Sequence, residues 1–358
     1  MAERRAVEAV VATASMPAAT ESSATEWRDR RVLVTGATGL LGSWVVRELQ
    51  SRGADVVALV RDRVPRAYLW EAADVDRLTL VHGALEDQPT VARALGEYEV
   101  EVVFHLGAQT IVQIANRDPI STFETNIRGT WQMLEACRRA PTVRAVIIAS
   151  SDKAYGDHDQ LPYTESTPLA GQHPYDVSKS CADLISTAYH RTYGLPVAII
   201  RCGNLFGPGD LNFNRLIPGT IRSLLLEERP IIRSDGTFIR DYVYVRDAAL
   251  AYLRVAEAVL DGLHGEAFNF SNEVQISALE MVDRIRAVMG SSLEPTILNQ
   301  GAGEIVNQHL DASKARRVLG WTPAYELEDA LRETVEWYRQ SSDRLHAPGA
   351  VTSPPADA

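Results

Sequence analysis

Three groups of residues in this chain have the types and spacing that chemistry requires. The first is Gly36-Ala37-Thr38-Gly39-Leu40-Leu41-Gly42, with three evenly spaced glycines between the run RVLVT and the helical pattern SWVVRELQSRG. Such a loop turns tightly, lets backbone approach a pyrophosphate, and points the first N–H groups of the helix at the anion. The second is Tyr175-Asp176-Val177-Ser178-Lys179. Residues four apart share a helix face, so the phenol and the ammonium project together. Near a cofactor ribose, the ammonium lowers the phenol pKa and suits it to take a proton from a hydroxyl, with Ser151 hydrogen-bonding the same oxygen. The third is Asp152-Lys153, an acid and a base directly after Ser151 at the end of the apolar run VRAVIIAS.

These groups need a scaffold that brings them to one edge. Short β-branched runs at 31–36, 54–60, 78–83, 101–108, 143–150 and 196–203 alternate with helical patterns. Near-continuous apolar strands separated by helices predict a parallel sheet covered on both faces. The expected fold is α/β, a Rossmann doubly wound parallel sheet with a smaller C-terminal substrate-binding lobe. The glycine loop and Ser151 both follow strands, which places them on the carboxyl edge where ligands bind. Residues 27–203 are expected to form the dinucleotide-binding domain, with segments of about 238–262 returning to it, and 204–340 mainly the lobe. By composition, 1–26 reads as a disordered extension and 341–358 as a disordered tail.

The second strand ends Leu59-Val60-Arg61-Asp62-Arg63. Val60 stands where a carboxylate would meet a free ribose diol, and Arg61 follows it, so NADP is expected over NAD, although Asp62 could bend back to a diol. The net charge of −11 gives no general pull toward nucleic acid or anionic lipid, so neither is an expected partner. No apolar run is long enough for a transmembrane helix. Cys137, Cys181 and Cys202 lack paired spacing, which argues against a disulfide framework or a zinc site and fits a cytoplasmic setting. No metal site is expected. His105 at a strand end reads as a packed histidine, since Tyr175 fills the base role.

With these motifs in place, the chain resembles the extended short-chain dehydrogenase/reductase family over about residues 30–340, specifically its nucleotide-sugar branch. Further segments carry the resemblance: His105-Leu106-Gly107-Ala108-Gln109, Asn126 in TFETNIRGT, Arg201-Cys202-Gly203-Asn204, GPGD at 207–210, RLIP at 215–218, RDYVYVRD at 240–247, and LDASKARRVLGW at 310–321. The resemblance implies a redox triad of Ser151, Tyr175 and Lys179. It also implies cofactor contacts at Gly36, Thr38, Gly39, Leu40, Leu41, Gly42, Arg61, Leu85, Leu106 and Ala108, together with Tyr175 and Lys179. Gln109, Asn204, Arg215 and Arg240 are the implied sugar-nucleotide contacts, and Glu304 matches an acidic position that could meet the nucleotide ribose.

What divides this branch is the dipeptide after the serine. Asp152-Lys153 looks like the pair in CDP-glucose 4,6-dehydratases, where dTDP-glucose enzymes carry Asp-Glu. A 4-keto group makes the C5 proton acidic, so one residue must take that proton and another must protonate the departing 6-hydroxyl. Lys153 is assigned as base and Asp152 as acid. Lys153 would need desolvation and nearby positive charge to be neutral, and Asp152 would need burial to be protonated. The segment at 299–304 lacks the arginine many relatives carry there, and Arg61 is reminiscent of GDP-mannose 4,6-dehydratases. The expected function is therefore an NDP-hexose 4,6-dehydratase, a lyase, with CDP-glucose the first substrate and GDP-mannose the next. Alternatives are a nucleotide-sugar 4-epimerase using only the triad, and a non-catalytic dinucleotide-binding interaction protein. The resemblance also implies a homodimer through the Tyr175 helix and the helix at about 119–140.

Overall fold

The computed structural model describes residues 27–300 and 305–341. The expected extension at 1–26, the tail from 342 onward and Glu304 lie outside the described residues. Ser341, counted with the tail, instead closes the last helix, Leu327–Gln340, its N–H donating to Trp337 O at 3.0 Å.

Twelve strands form among the described residues: β1 (Arg31–Thr35), β2 (Asp55–Val60), β3 (Leu78–His82), β4 (Val102–His105), β5 (Ala145–Ala149), β6 (Val197–Cys202), β7 (Asn204–Phe206), β8 (Ile231–Ile232), β9 (Ile239–Tyr244), β10 (Ala267–Phe270), β11 (Gln275–Ser277) and β12 (Thr296–Ile297). Seven of them make one sheet in the order β10-β6-β5-β4-β1-β2-β3. Every pairing in it is parallel, for example Val34 with Ala58 on one side and with Phe104 on the other.

The continuous apolar strands are explained by two cores. Val32, Val34, Ala58, Phe104 and Ile147 point into one cluster, while Leu33, Val57, Val103, Val146 and Ile148 point into the other. Alternate residues are thus buried on opposite faces, as a sheet sandwiched by helices demands. The sequence-predicted sheet had six strands, and the seventh, β10, is only four residues long in a region read as lobe. It joins β6 (Phe268 opposite Ile200) and lies just beyond the range of about 238–262 expected to return to the sheet. Within that range, helix Val245–Leu260 packs on the sheet and on helix Leu40–Ser51, but β9 does not join the sheet. Instead β7, β9 and β11 form a three-stranded sheet, and β8 pairs with β12.

Strand order reverses beside β1: the chain runs outward through β2 and β3, then returns to β4 on the other side. Such a switch point opens a crevice at the carboxyl ends of β1 and β4. Gly36 and the segment Leu106–Gly107 form its floor.

Candidate active site

The glycine loop shows why two of its glycines cannot carry side chains. Gly36 has φ +69°, and a Cβ there would lie 2.8 Å from Gly107 Cα. A Cβ on Gly42 would fall 2.1 Å from Gly36 O. The loop is therefore pressed against the β4 end and its own helix, with bare backbone facing the crevice. Helix Leu40–Ser51 starts after Gly39 without any side-chain cap, so its first N–H groups are left for an anion.

Two connected cavities share Gly36, Thr38, Gly107 and Ala108. One runs along the ends of β1 and β2 and takes in Leu59, Val60, Arg61, Asp62, Leu85 and Gln109. The other takes in Gly39, Leu40, Leu41, Gly42, Leu106, Ser151, Asp152, Lys153, Tyr175, Lys179, Asn204 and Arg215. Most residues singled out in the sequence thus line one continuous cleft. Arg240 is not among its lining residues: its guanidinium donates to the carbonyls of Ile239 (3.0 Å) and Val306 (3.1 Å) and lies over the Phe238 ring.

Ser151 caps the short 3-10 turn Asp152–Tyr155 that follows β5, its Oγ accepting from Lys153 N at 3.2 Å and donating to Asp152 Oδ1 at 2.9 Å. Asp152 is buried, and desolvation raises its pKa against the opposing pull of Lys153. A raised carboxyl pKa is what a general acid requires. The side chains set against Lys153 are Asp152, Asp176 and Gln308, two carboxyls and a carboxamide rather than the cations expected.

Tyr175 and Lys179 stand one turn apart on helix Pro174–Tyr193, with the ammonium 6.0 Å from the phenol ring centre. Lys179 Nζ donates to Ala149 O at 2.7 Å, and burial lowers its pKa to about 8. The expected lowering of the phenol by this lysine is not found. Burial pushes Tyr175 up to about 12, with the Ser151 hydroxyl pulling it down. Lys179 is not among the groups that shift the phenol, and its ammonium is held by the β5 carbonyl.

Behind the triad, Asn126 sits on a π-turn, Glu124–Arg128, of the kind that marks functional positions. Its amide donates to Ser178 Oγ (2.9 Å) and Gln109 O (3.0 Å) and accepts from Gln109 N (2.7 Å), tying the Tyr175 helix to the β4 loop. His105 lies between Thr35 and Thr130 hydroxyls, and burial lowers its pKa to about 3, so it is a packed neutral histidine as expected.

Sequence reasoning missed Arg233, Asn212 and Asn214, which line the cleft beside Arg215. Arg233 donates to Asn214 Oδ1 at 3.0 Å, and Arg215 to Asp210 Oδ2 at 3.1 Å. The motif RSDG around Arg233 was the available signal. Asp62 was seen, but not its tie to Arg61, whose Nε donates to it at 2.6 Å.

A parallel sheet with a glycine-loop crevice, and a serine, tyrosine and lysine converging on it, defines a dinucleotide-dependent enzyme acting on a hydroxyl. Residues 32–271 match the NAD dependent epimerase/dehydratase family, and the chain belongs to that family. It is 31% identical to the CDP-glucose 4,6-dehydratase of Salmonella typhimurium, over 87% of this chain and 91% of that protein. It is 33% identical to dTDP-glucose 4,6-dehydratase 1 of Escherichia coli, over 86% and 92%. Among solved structures, DesIV of Streptomyces venezuelae, a dTDP-glucose 4,6-dehydratase with NAD and TYD bound, superposes with a TM-score of 0.79 at 32% identity, covering 87% of this chain and 98% of that one. The UDP-glucose 4-epimerase of Thermotoga maritima superposes with a TM-score of 0.81 at 29% identity, over 87% and 99%. The interaction-protein alternative falls with these findings: the chain is an enzyme of the nucleotide-sugar dehydratase type.

Proposed function

We propose that the chain converts a nucleotide-diphosphohexose, CDP-glucose first, into its 4-keto-6-deoxy derivative by loss of water. The observation that carries this reading is Asp152-Lys153: both line the triad's cleft, the acid buried and the lysine beside it. An epimerase has no use for that pair.

Gly36, Gly42 and the helix start fit a dinucleotide diphosphate, and Leu85, Leu106 and Ala108 supply walls for the rest of it. When bound, the nicotinamide supplies a hydride acceptor for sugar C4 and the hydride later returned to C6. With Lys179 released from the Ala149 carbonyl to stabilise its phenolate, Tyr175 would take the 4-hydroxyl proton, assisted by the Ser151 hydroxyl on the same oxygen. Lys153 then takes the C5 proton. The C–H electron pair becomes the C5–C6 double bond as the C6–O bond breaks, and Asp152 protonates the leaving hydroxyl, releasing water. As hydride reaches C6, the Lys153 ammonium, whose protons exchange with solvent, gives one of them to C5. Asn204, Arg215 and Gln109 would hold the sugar and diphosphate, joined by Arg233. This assigns the lobe at 204–340 to the substrate. Arg240 would join them only by leaving the Val306 carbonyl.

The choice of dinucleotide turns on Arg61 and Asp62. A 2′-phosphate would have to sit beside the carboxylate that already holds Arg61, whereas a ribose diol donates to it in place. This geometry supports NAD, against the expectation raised by Arg61 alone, and a titration in which NADP binds more tightly would restore the arginine reading. A homodimer is supported by Ile120, Trp131 and Leu184, exposed on helices Pro119–Phe123, Gly129–Arg139 and Pro174–Tyr193. Leu184→Asp should shift the sedimenting species to monomer. No helix among the described residues is long and apolar enough to cross a membrane. The three free thiols fit a reducing, cytoplasmic setting.

Replacing Lys153 by Met tests the function. C4 oxidation should persist, and loss of water should fall by about 100-fold or more. Full dehydration by this variant would sink the assignment.

A further inference from the structure

Gln308 belongs to no motif, yet it touches the residue assigned as base. It is fully buried, and its Oε1 accepts from Lys153 Nζ at 3.3 Å. Its backbone is fixed from several sides. Gln308 N donates to Ile239 O at 3.2 Å, His309 O accepts from Tyr163 N at 3.0 Å, and Leu310 N donates to Asp241 Oδ2 at 3.2 Å. The carboxamide is therefore delivered to the lysine by a rigid segment. Its Nε2 is buried without a protein partner, a costly arrangement for a residue that only fills space.

We propose that Gln308 is a positioning residue for the dehydration step: its carboxamide oxygen holds one N–H of Lys153 and aims the amine lone pair into the cleft. The proposal rests on the reading of Lys153 as base. A neutral acceptor suits this task. A carboxylate in the same place would stabilise the ammonium, which has no lone pair to offer. A hydrocarbon would leave the flexible lysine stem free to rotate. The titratable groups already facing Lys153 are Asp152 on its own turn and Asp176 from helix Pro174–Tyr193, with Arg240 acting on Asp152 and His173 on Asp176. A glutamate at 308 would add a third carboxyl to this pair, whereas the amide orients the amine without adding charge.

The test compares wild type, Gln308→Glu, Gln308→Met and Lys153→Met in the full chain with cofactor and CDP-glucose. C4 oxidation is followed by nicotinamide absorbance in a single turnover, and loss of water by mass spectrometry across pH. In Gln308→Glu the acid limb of the dehydration profile should move alkaline by about one unit or more, as expected for an opposite charge beside an amine. In Gln308→Met dehydration should fall by about 10- to 100-fold with C4 oxidation retained. An unmoved limb in Gln308→Glu together with wild-type dehydration in Gln308→Met overturns the proposal. So does a loss of both steps in equal measure, which marks a purely structural role. If Lys153→Met dehydrates normally, the base reading falls and takes this one with it; if only the Gln308 variants behave as wild type, this proposal falls alone.

Discussion

Arg201 carries a guanidinium into the interior, and its removal should be felt at the active site. Its Nε and Nη2 donate to Asp183 Oδ2 and Oδ1 at 2.7 and 2.9 Å, a bidentate pair with both side chains almost wholly buried. Its Nη1 donates to the Tyr155 hydroxyl at 2.8 Å, which in turn donates to Asn269 Oδ1 at 2.7 Å. Tyr155 ends the turn that carries Asp152 and Lys153. Breaking a buried pair leaves one charge uncompensated and costs about 3–5 kcal/mol, a large part of a total stability of about 5–15 kcal/mol. Asp183→Leu and Arg201→Met should each lose that much in urea unfolding followed by tryptophan fluorescence. In the double variant Arg201→Met/Asp183→Leu neither charge remains, and the residual loss should be about 1 kcal/mol, from the missing Tyr155 hydrogen bond. The non-additivity in the double-mutant cycle, about 5 kcal/mol or more from singles of about 3 kcal/mol and a double of about 1, is the signature of direct pairing. Single variants within about 1 kcal/mol of wild type, or a double variant equal to the sum of the singles, would refute the reasoning.

Two further outcomes follow from the geometry. Gly42→Ala places a Cβ 2.1 Å from Gly36 O, so the loop must shift, and dinucleotide affinity by calorimetry should fall by about 10-fold or more while the fold persists; unchanged affinity would contradict the assigned role of the loop. Burial raises the Asp241 pKa from 3.8 to about 7, so between those values the unfolded chain binds fewer protons than the folded one and stability falls as pH rises. Asp241→Asn removes this dependence. Its stability relative to wild type should grow from about pH 4 to about pH 7 and then level off, and a pH-independent difference would show that Asp241 is not buried as described.

The parts legible in the sequence are those whose signal is local. Strand runs such as AVIIA at Ala145–Ala149 are apolar throughout because both faces of the sheet are covered, and Tyr175 and Lys179 share a face because helices repeat in that way. β10 escaped because AFNF is too short to show a period and its partner β6 lies far back in the chain. Gln308 escaped for the same kind of reason: it meets Lys153 across 155 residues, and no spacing encodes that. The family resemblance of RDYVYVRD drew attention to Arg240, but β9 lies between β7 and β11 rather than in the main sheet, and the guanidinium goes to the Val306 carbonyl. Electrostatics were not legible: the Tyr175 pKa is raised rather than lowered, and Lys153 faces carboxyls rather than cations. The sequence states that Asp152 needs burial, whereas that burial and the company of Lys153 depend on helix Pro174–Tyr193 and the 305–311 segment folding over the turn.

The central claim is that Asp152-Lys153 converts a redox site into a dehydratase. It is tested most directly by incubating the enzyme with CDP-glucose in heavy water, beside GDP-, UDP- and dTDP-hexoses, and weighing the nucleotide products. The account predicts a CDP-sugar that has lost one water and gained deuterium at C5. A product of unchanged mass with inverted configuration at C4 would contradict it and identify an epimerase.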